Sequence, residues 1–139
     1  MRLPHLSIGV LLALSLIVAC DQTQNAKKNP SKINPPLAGA TNAINIELQE
    51  GFYSMGQVVI EIDGHEVYRG DPESNPLIGR ADGFSTASAS TQPVLTIKIP
   101  GQQINSSKQI DLSQGAMLEI NLTQNGLDVR QAVHGSGYE

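Results

Sequence analysis

Alternation of apolar and polar residues with a period of two is the feature that most constrains the fold of this chain. It recurs in four segments: Ile44 to Leu48, Val58 to Ile62, Leu95 to Ile99 and Leu118 to Leu122. Successive side chains of a β-strand point to opposite faces, so each segment would bury one row and expose the other. No stretch after residue 20 keeps a helical period. The pattern predicts an all-β domain.

Turn-forming residues separate these segments. Asp63-Gly64 and Asn125-Gly126 suit two-residue hairpins, which favour positive φ. Gln114-Gly115 and the stretch 101–108 predict two further reversals. Shorter strands are predicted at Glu66 to Tyr68, Phe84 to Ser88, Gln109 to Leu112 and Leu127 to Val133. Short connections require antiparallel neighbours, and this many strands predict a small antiparallel β-sandwich of immunoglobulin-like or transthyretin-like kind.

The N-terminus carries a targeting pattern. Arg2 precedes an apolar run from Leu6 to Leu16, and Leu16-Ile17-Val18-Ala19-Cys20 follows. The run is shorter than the ~20 residues that span a bilayer, which favours a signal peptide over a short transmembrane anchor with an incidental cysteine. The five residues ending at Cys20 resemble the lipobox of bacterial lipoproteins. The resemblance implies removal of residues 1–19 and attachment of fatty acyl chains such as palmitate to Cys20.

Asp21 adds an expectation about localisation. An aspartate directly after the lipidated cysteine resembles the signal that retains enterobacterial lipoproteins in the inner membrane. The resemblance therefore implies a lipid-anchored protein on the periplasmic, extracytoplasmic side of the cell membrane, with the inner membrane favoured over the outer membrane.

The segment 20–39 separates this anchor from the strands. It is polar, lacks any period and contains Pro30, Pro35 and Pro36, which suit neither helix nor ladder. We expect a flexible tether there and a β-sandwich domain in residues 40–139.

Charge and cysteine content exclude several functions. Only Arg2 among the 9 basic and 13 acidic residues lies in 1–19, so the remaining chain has a net charge of −5. That charge argues against nucleic-acid binding. Cys20 is the only cysteine. Once it is lipidated, no disulfide, thiolate ligand or cysteine nucleophile is left.

Candidate chemistry is sparse. The segment Asp63 to Asp82 contains several groups that could bind a metal, but their spacing matches no calcium loop, and a solvated acidic loop is the favoured interpretation. These groups are Asp63, His65, Glu66, Asp71, Glu73 and Asp82. His65 and His134 lack zinc-site spacing. No nucleophile motif surrounds any serine. We therefore expect no metal, no cofactor and no enzymatic activity.

Two functional hypotheses follow. The first is an interaction or scaffold module that binds an envelope protein through its loops or by strand addition at an edge, for which 84–91 is the candidate strand. This segment is polar on both faces, so we expect its register to be loosely specified, although a plain weak strand or loop is the favoured interpretation. The second is a small-ligand (sugar, peptide or lipid) binding accessory to an envelope transporter or enzyme. Its candidate patch is Phe52, Tyr53, Tyr68 and Arg69, although the favoured interpretation is that Phe52 and Tyr68 plug the ends of the core.

Overall fold

The structure, a computed structural model, describes residues 30–133. It contains nine strands and two short 3₁₀ helices, at Pro100–Gln102 and Leu112–Gln114. The strands are β1 (Lys32–Ile33), β2 (Asn42–Leu48), β3 (Val58–Ile62), β4 (His65–Gly70), β5 (Asp82–Ser88), β6 (Val94–Ile99), β7 (Ile104–Gln109), β8 (Met117–Thr123) and β9 (Gly126–Ala132).

The strands form two sheets that pack face to face, which confirms the predicted small all-β sandwich. One sheet has the order β1-β4-β3-β6-β7, and the other has the order β5-β2-β8-β9. All pairs are antiparallel except β2 with β8, which run parallel with Ile46 opposite Leu118. Turn signals constrain only strands that follow one another, so this long-range pairing was outside the prediction.

The apolar rows of the sequence pattern form the core. Ile44, Ile46 and Leu48 of β2 are fully buried, as are Leu118 and Ile120 of β8. The opposite sheet contributes the inward rows of β3 and β6, and the cluster is mainly aliphatic, with the aromatic rings of Phe52, Tyr68 and Phe84. Burying each side chain of this size stabilises the fold by roughly 1.5–3 kcal/mol.

The two ends of the sandwich carry different loops. At the Ser31 end, Ser31 bonds to Asp82 at the start of β5, and β4 finishes at Gly70. At the Asp63 end, the Asp63-Gly64 turn bonds to Val94 at the start of β6. Strand directions place four connections at the Ser31 end: residues 49–57, residues 71–81, the turn at 100–103 and the turn at 124–125.

Two of the predicted reversals need correction. The Asp63-Gly64 hairpin is confirmed, with positive φ at both residues. The other hairpin turns one residue earlier than predicted, at Gln124-Asn125, because Gly126 already pairs with Thr123. The prediction was also wrong for 101–112. Strand β7 occupies most of the expected reversal, and the expected strand at Gln109 to Leu112 is the end of β7 followed by a 3₁₀ helix.

Part of the expected tether is attached to the domain. Lys32 and Ile33 pair with Arg69 and Tyr68 of β4, and the amide of Asn34 donates to Val67 O at 3.0 Å. The prolines on either side limit β1 to two residues, but they do not prevent it from pairing as an edge strand. The packed part of the chain thus begins before residue 40. The predicted signal peptide, Cys20, Asp21 and His134 lie outside the described residues.

Candidate interaction surfaces

Asp63, the first acidic residue of the predicted loop region, stabilises a turn. Its Oδ1 accepts a hydrogen bond from the amide of Val94 at 2.9 Å, and its Oδ2 accepts one from Ser88 Oγ at 2.7 Å. Asp63 therefore connects the β3–β4 turn to both sheets, and its carboxylate oxygens are already engaged.

His65, Glu66 and Arg69 are engaged at the edge of β4. His65 Nε2 lies 3.0 Å from Pro35 O, within the attached N-terminal segment. Arg69 donates to Glu66 Oε1 at 3.0 Å and also to Gln57 Oε1. The hydrogen bonds from Arg69 hold the pKa of the Glu66 carboxyl below its ordinary value. These residues attach the N-terminal segment and β3 to β4.

The remaining acidic residues of the segment lie apart from one another. Glu73 Oε2 accepts from the amide of Ser54 at 3.3 Å, whereas Asp82 faces Ser31 and Tyr68. Within residues 30–133, no group of three or more His, Cys, Asp or Glu side chains could hold a metal ion. The structure thus does not assemble the acidic residues of 63–82 into one site.

Tyr68 lies at the centre of a partly buried hydroxyl and carboxylate cluster. Its Oη donates to Asp82 Oδ2 at 2.9 Å, and Ser31 Oγ donates to the same oxygen at 2.7 Å. The Tyr68 ring stacks on Phe84 with centroids 4.9 Å apart. Burial, together with the hydrogen bond to Asp82, raises the pKa of the Tyr68 phenol well above its ordinary value. The phenol is therefore a structural donor at neutral pH.

The patch expected around Phe52, Tyr53, Tyr68 and Arg69 does not form. Phe52 and Tyr68 are fully buried in the core, and Arg69 pairs with Glu66. Only Tyr53 is available, with 47% of its surface exposed. Its neighbours are in residues 74–81, the part of the segment 63–82 in which the sequence analysis singled out no residue.

This segment is a loop that hydrogen bonds hold at two points, at Ser74 and at the turn that begins at Asn75. Buried Ser74 accepts from the amide of Phe52 at 3.0 Å and donates to Gln49 O at 2.6 Å. Asn75 then closes a turn: its amide donates to Arg80 O, and its carbonyl accepts from Gly79 at 2.8 Å. Because both ends are hydrogen-bonded, the backbone between them is held in one conformation.

The loop displays two apolar side chains to solvent. Leu77 is 91% exposed and Ile78 is 55% exposed. The polar backbone groups of the loop form the hydrogen bonds of the turn. With Tyr53, the two apolar side chains form what we call the apolar tip (Tyr53, Leu77 and Ile78). The tip lines a groove of about 570 Å³ whose other walls include Glu47, Glu50 and Arg80. Two apolar residues between Pro76 and Gly79, outside any alternating run, are the sequence signal that could have revealed it.

The sheet edges differ along the two sides of the sandwich. On one side, β5 lies against β4 and β1, and this closed seam (β1, β4 and β5) is joined by the Tyr68 cluster and by Ser88 with Asp63. The structure confirms that β5, in the predicted edge segment 84–91, pairs on one side only. The expectation of loose register is wrong, because Phe84, Thr86 and Ser88 face the interior and seven residues pair with β2.

On the other side, β7 and β9 are the last strands of their sheets and form an open seam (β7 and β9). Every β7 residue after Ile104 is exposed, and no β9 residue is fully buried. A cavity of about 410 Å³ separates Ile104 from Leu122 and Gly126 at the Ser31 end. Lys108 spans the seam, with its Nζ donating to Val129 O at 3.0 Å.

The register shows which backbone groups of β7 face away from the sheet. The amide of Ile110 donates to Pro93 O at 2.9 Å, and the register places these two residues directly opposite each other. Bonded and non-bonded pairs alternate along an antiparallel ladder, so Ile110 and every second residue before it form hydrogen bonds with β6. The intervening residues, Asn105, Ser107 and Gln109, direct their N–H and C=O groups outward, and all three are exposed. These groups form an unpaired strand edge.

No helix in residues 30–133 is long and apolar enough to cross a bilayer. Comparisons with protein-family models, with curated proteins and with solved structures find no significant match to this chain.

Proposed function

We propose that this chain is a lipid-anchored protein of the bacterial cell envelope whose sandwich is a non-enzymatic interaction module. In this proposal Cys20 carries the acyl chains, Asp21 favours the inner membrane, and the domain lies on the periplasmic side. The module binds an extended segment of an envelope protein along β7, with no cofactor and no nucleic acid involved.

The observation that carries the proposal is the outward-facing backbone of β7. Asn105, Ser107 and Gln109 present unpaired N–H and C=O groups along a straight, exposed strand. An extended peptide satisfies such groups by adding a strand, in which main-chain hydrogen bonds give affinity and alternate side chains give selectivity.

The other edges support the choice of β7. The outward positions of β5 include Gly83 and Ala87, both partly covered, and Arg80 lies over Gly83. On β9, the carbonyl of Val129 is already occupied by Lys108. Strand β1 has only two residues. Among the described strands, β7 offers the longest fully exposed edge.

Intact-mass measurement tests the anchor. We expect the membrane-extracted protein to begin at Cys20 and to carry acyl mass, and we expect both features to be lost in Cys20→Ala. An uncut, unmodified chain would contradict the proposed localisation and the membrane partner inferred from it.

Site-specific crosslinking tests the edge. A photo-crosslinking residue at position 105 of the full chain, expressed in its own envelope, is expected to capture one protein partner. Ser107→Pro should abolish the crosslink, because it removes an outward N–H without breaking the β6 ladder.

Ser85→Pro is the matched control, because it alters the corresponding outward position of the β5 edge. The crosslink should survive it. A crosslink that is lost with Ser85→Pro and kept with Ser107→Pro would move the site to β5, and a crosslink indifferent to both would exclude strand addition at either edge.

The groove favours a second candidate, a small-ligand accessory to an envelope transporter or enzyme. Its volume of about 570 Å³ falls within the range of ligand sites, and Arg80 and Glu50 supply polar groups beside the apolar tip. A ligand at about 100 times its Kd would stabilise the fold by roughly 2.7 kcal/mol. Thermal unfolding against sugars, short peptides and lipid headgroups measures this. The absence of any shift in midpoint rejects this candidate without affecting the β7 proposal.

A further inference from the structure

We infer that the apolar tip of Tyr53, Leu77 and Ile78 contacts the lipid bilayer in which the chain is anchored, so that the sandwich stands with its Ser31 end against the membrane. This inference rests on the proposed lipid anchor at Cys20. It assigns a ligand, a zwitterionic lipid surface, to a part of the molecule separate from the β7 edge.

The first step is the position at which the N-terminal chain leaves the domain. Ser31 Oγ bonds to Asp82 Oδ2 at 2.7 Å, and a Cβ placed on Gly70 would come within 2.6 Å of the same Ser31 oxygen. Gly70 and Asp82 are the two ends of the connection that carries Leu77 and Ile78. The chain toward Cys20 therefore starts between the two ends of the loop that carries the apolar tip.

The second step is the length of chain available. Ser31 lies eleven positions after Cys20. A peptide spans at most ~3.3–3.6 Å per residue, so Ser31 lies within about 40 Å of the anchored residue, even for a fully extended chain. Each seven-residue strand is about 23 Å long, so the Asp63 end lies about that far along the strand axis from the point at which the tether leaves the domain.

The third step is the chemistry of the surface. Leu77 and Ile78 are held out by a hydrogen-bonded loop, not packed against the domain, and Tyr53 adds an amphipathic ring beside them. Tyrosine is enriched at membrane interfaces, where the ring meets the acyl region and the hydroxyl stays wet. The tip therefore matches the boundary between headgroups and acyl chains.

The charged side chains around the tip determine whether it favours an anionic or a zwitterionic lipid surface. Glu47 and Glu50 line the groove, and Glu73 accepts from the amide of Ser54 beside Tyr53. Cations at this end include Arg80 in the groove and the exposed Lys32 next to Ser31. An excess of carboxylates disfavours an anionic leaflet. Contact thus depends on apolar insertion into zwitterionic lipid and should be insensitive to salt, since screening acts on charges.

The test uses the absence of tryptophan from the sequence. Leu77→Trp gives the full-length protein one fluorescent reporter at the tip. Leu37→Trp is the matched control, because it also replaces an exposed leucine, 54% exposed against 91% for Leu77, but one that lies beyond β1, away from the Ser31 end. Each purified full-length variant is reconstituted in phosphatidylcholine vesicles with and without brominated acyl chains, and its acylation is determined by intact mass.

We expect the Leu77→Trp reporter to lose most of its emission in brominated vesicles and to shift to the blue, at both low and high salt. We expect the Leu37→Trp reporter to keep its emission. Because both reporters have the same intrinsic affinity for interfaces, the difference between them measures the orientation of the domain.

Two results would overturn the inference. With acylated Cys20, an unquenched Leu77→Trp reporter would show that the tip stays in water while the anchor proposal stands. Equal quenching of both reporters would show that the domain has no preferred face. If intact mass shows no acylation, the proposed anchor fails separately. The membrane contact would then be judged on quenching of the unacylated full-length protein added to the same vesicles, and no quenching would reject it.

Discussion

The two seams of the sandwich solve the problem of joining two sheets in different ways. At the closed seam an aromatic stack and a shared carboxylate connect β4, β1 and β5, whereas at the open seam one lysine spans the gap between β7 and β9. At the closed seam the polar side chains form hydrogen bonds within the domain. The open seam leaves backbone groups unpaired. The polar groups of the closed seam therefore stabilise the fold, whereas the outward backbone groups of β7 stay unpaired, as the proposed function requires.

The largest expected effect comes from breaking the closed seam. Tyr68→Ala removes a fully buried aromatic ring and its stack on Phe84, so we expect the free energy of unfolding to fall by about 3–5 kcal/mol. Urea unfolding measures the loss. Tyr53→Ala, at a half-exposed tyrosine of the apolar tip, should cost less than about 1 kcal/mol. Similar losses for the two variants would contradict the stabilising role of the closed seam.

Two proline substitutions test which backbone N–H groups of β7 face β6 and which face outward. Ser106→Pro removes an N–H that faces β6 and leaves the buried Ile97 carbonyl unpaired, whereas Ser107→Pro removes an outward N–H. We expect Ser106→Pro to be less stable than Ser107→Pro by about 1–3 kcal/mol. Denaturant midpoints of the two variants, compared at equal m-value, give the difference. The reverse order would show that the assignment of outward groups is wrong.

Tyr68→Phe sharpens the comparison by removing only the phenol oxygen. We expect a loss of about 1–2 kcal/mol at neutral pH, since Asp82 and Ser31 lose one hydrogen-bond partner. The matched change Tyr53→Phe, at a half-exposed ring, should leave stability nearly unchanged.

The pH dependence follows from the same phenol. Burial raises the pKa of Tyr68 in the folded state above the unfolded value of about 10. The folded protein therefore keeps a proton that the unfolded chain loses, so this contribution is complete below about pH 10 and declines as the pH rises further. The unfolding free energy of the wild type should fall toward that of Tyr68→Phe in alkali. Parallel pH profiles would contradict this.

The smallest effect on stability is expected at the open seam. Lys108→Met removes one exposed hydrogen bond to Val129 O and should cost less than about 1 kcal/mol. Lysine on an edge strand also discourages pairing with other chains. We therefore expect greater self-association by analytical ultracentrifugation. Lys98→Met, on the interior strand β6 where Lys98 pairs with Glu61, should self-associate no more than the wild type at the same concentration.

Most of the core could be predicted because burial leaves a pattern. Ile44, Ile46 and Leu48 alternate with polar residues since one face of β2 is inside, and the same holds for β3, β6 and β8. Strand β7 was missed for the converse reason. Its residues after Ile104 have no buried row, so the segment from Asn105 to Gln109 resembles a polar loop. An edge strand whose two faces are both exposed to solvent shows no alternation of apolar and polar residues.

The candidate surfaces were less predictable. The outward backbone of Ser107 depends on its register with β6, which side-chain identity does not encode. Leu77 and Ile78 are ordinary apolar residues until the Asn75 turn is known to hold them outside the core. Conversely, the acidic residues from Asp63 to Asp82 are conspicuous in sequence, yet in the fold they are dispersed among separate structural bonds.

The attachment of β1 to β4 has a mechanical consequence. Tension applied through the N-terminal segment pulls Ser31 along the strand axis, so the bonds of Lys32, Ile33 and Asn34 are loaded together in shear. If they yield, residues 31–41 are released as a chain of roughly 35 Å contour length, part of which runs back along the domain from Asn42. Strand β2 keeps its pairing with β5 and β8, so the other strands of the two packed sheets stay intact. The first residues of the domain thus form a coupling that can lengthen while the rest of the sandwich stays folded.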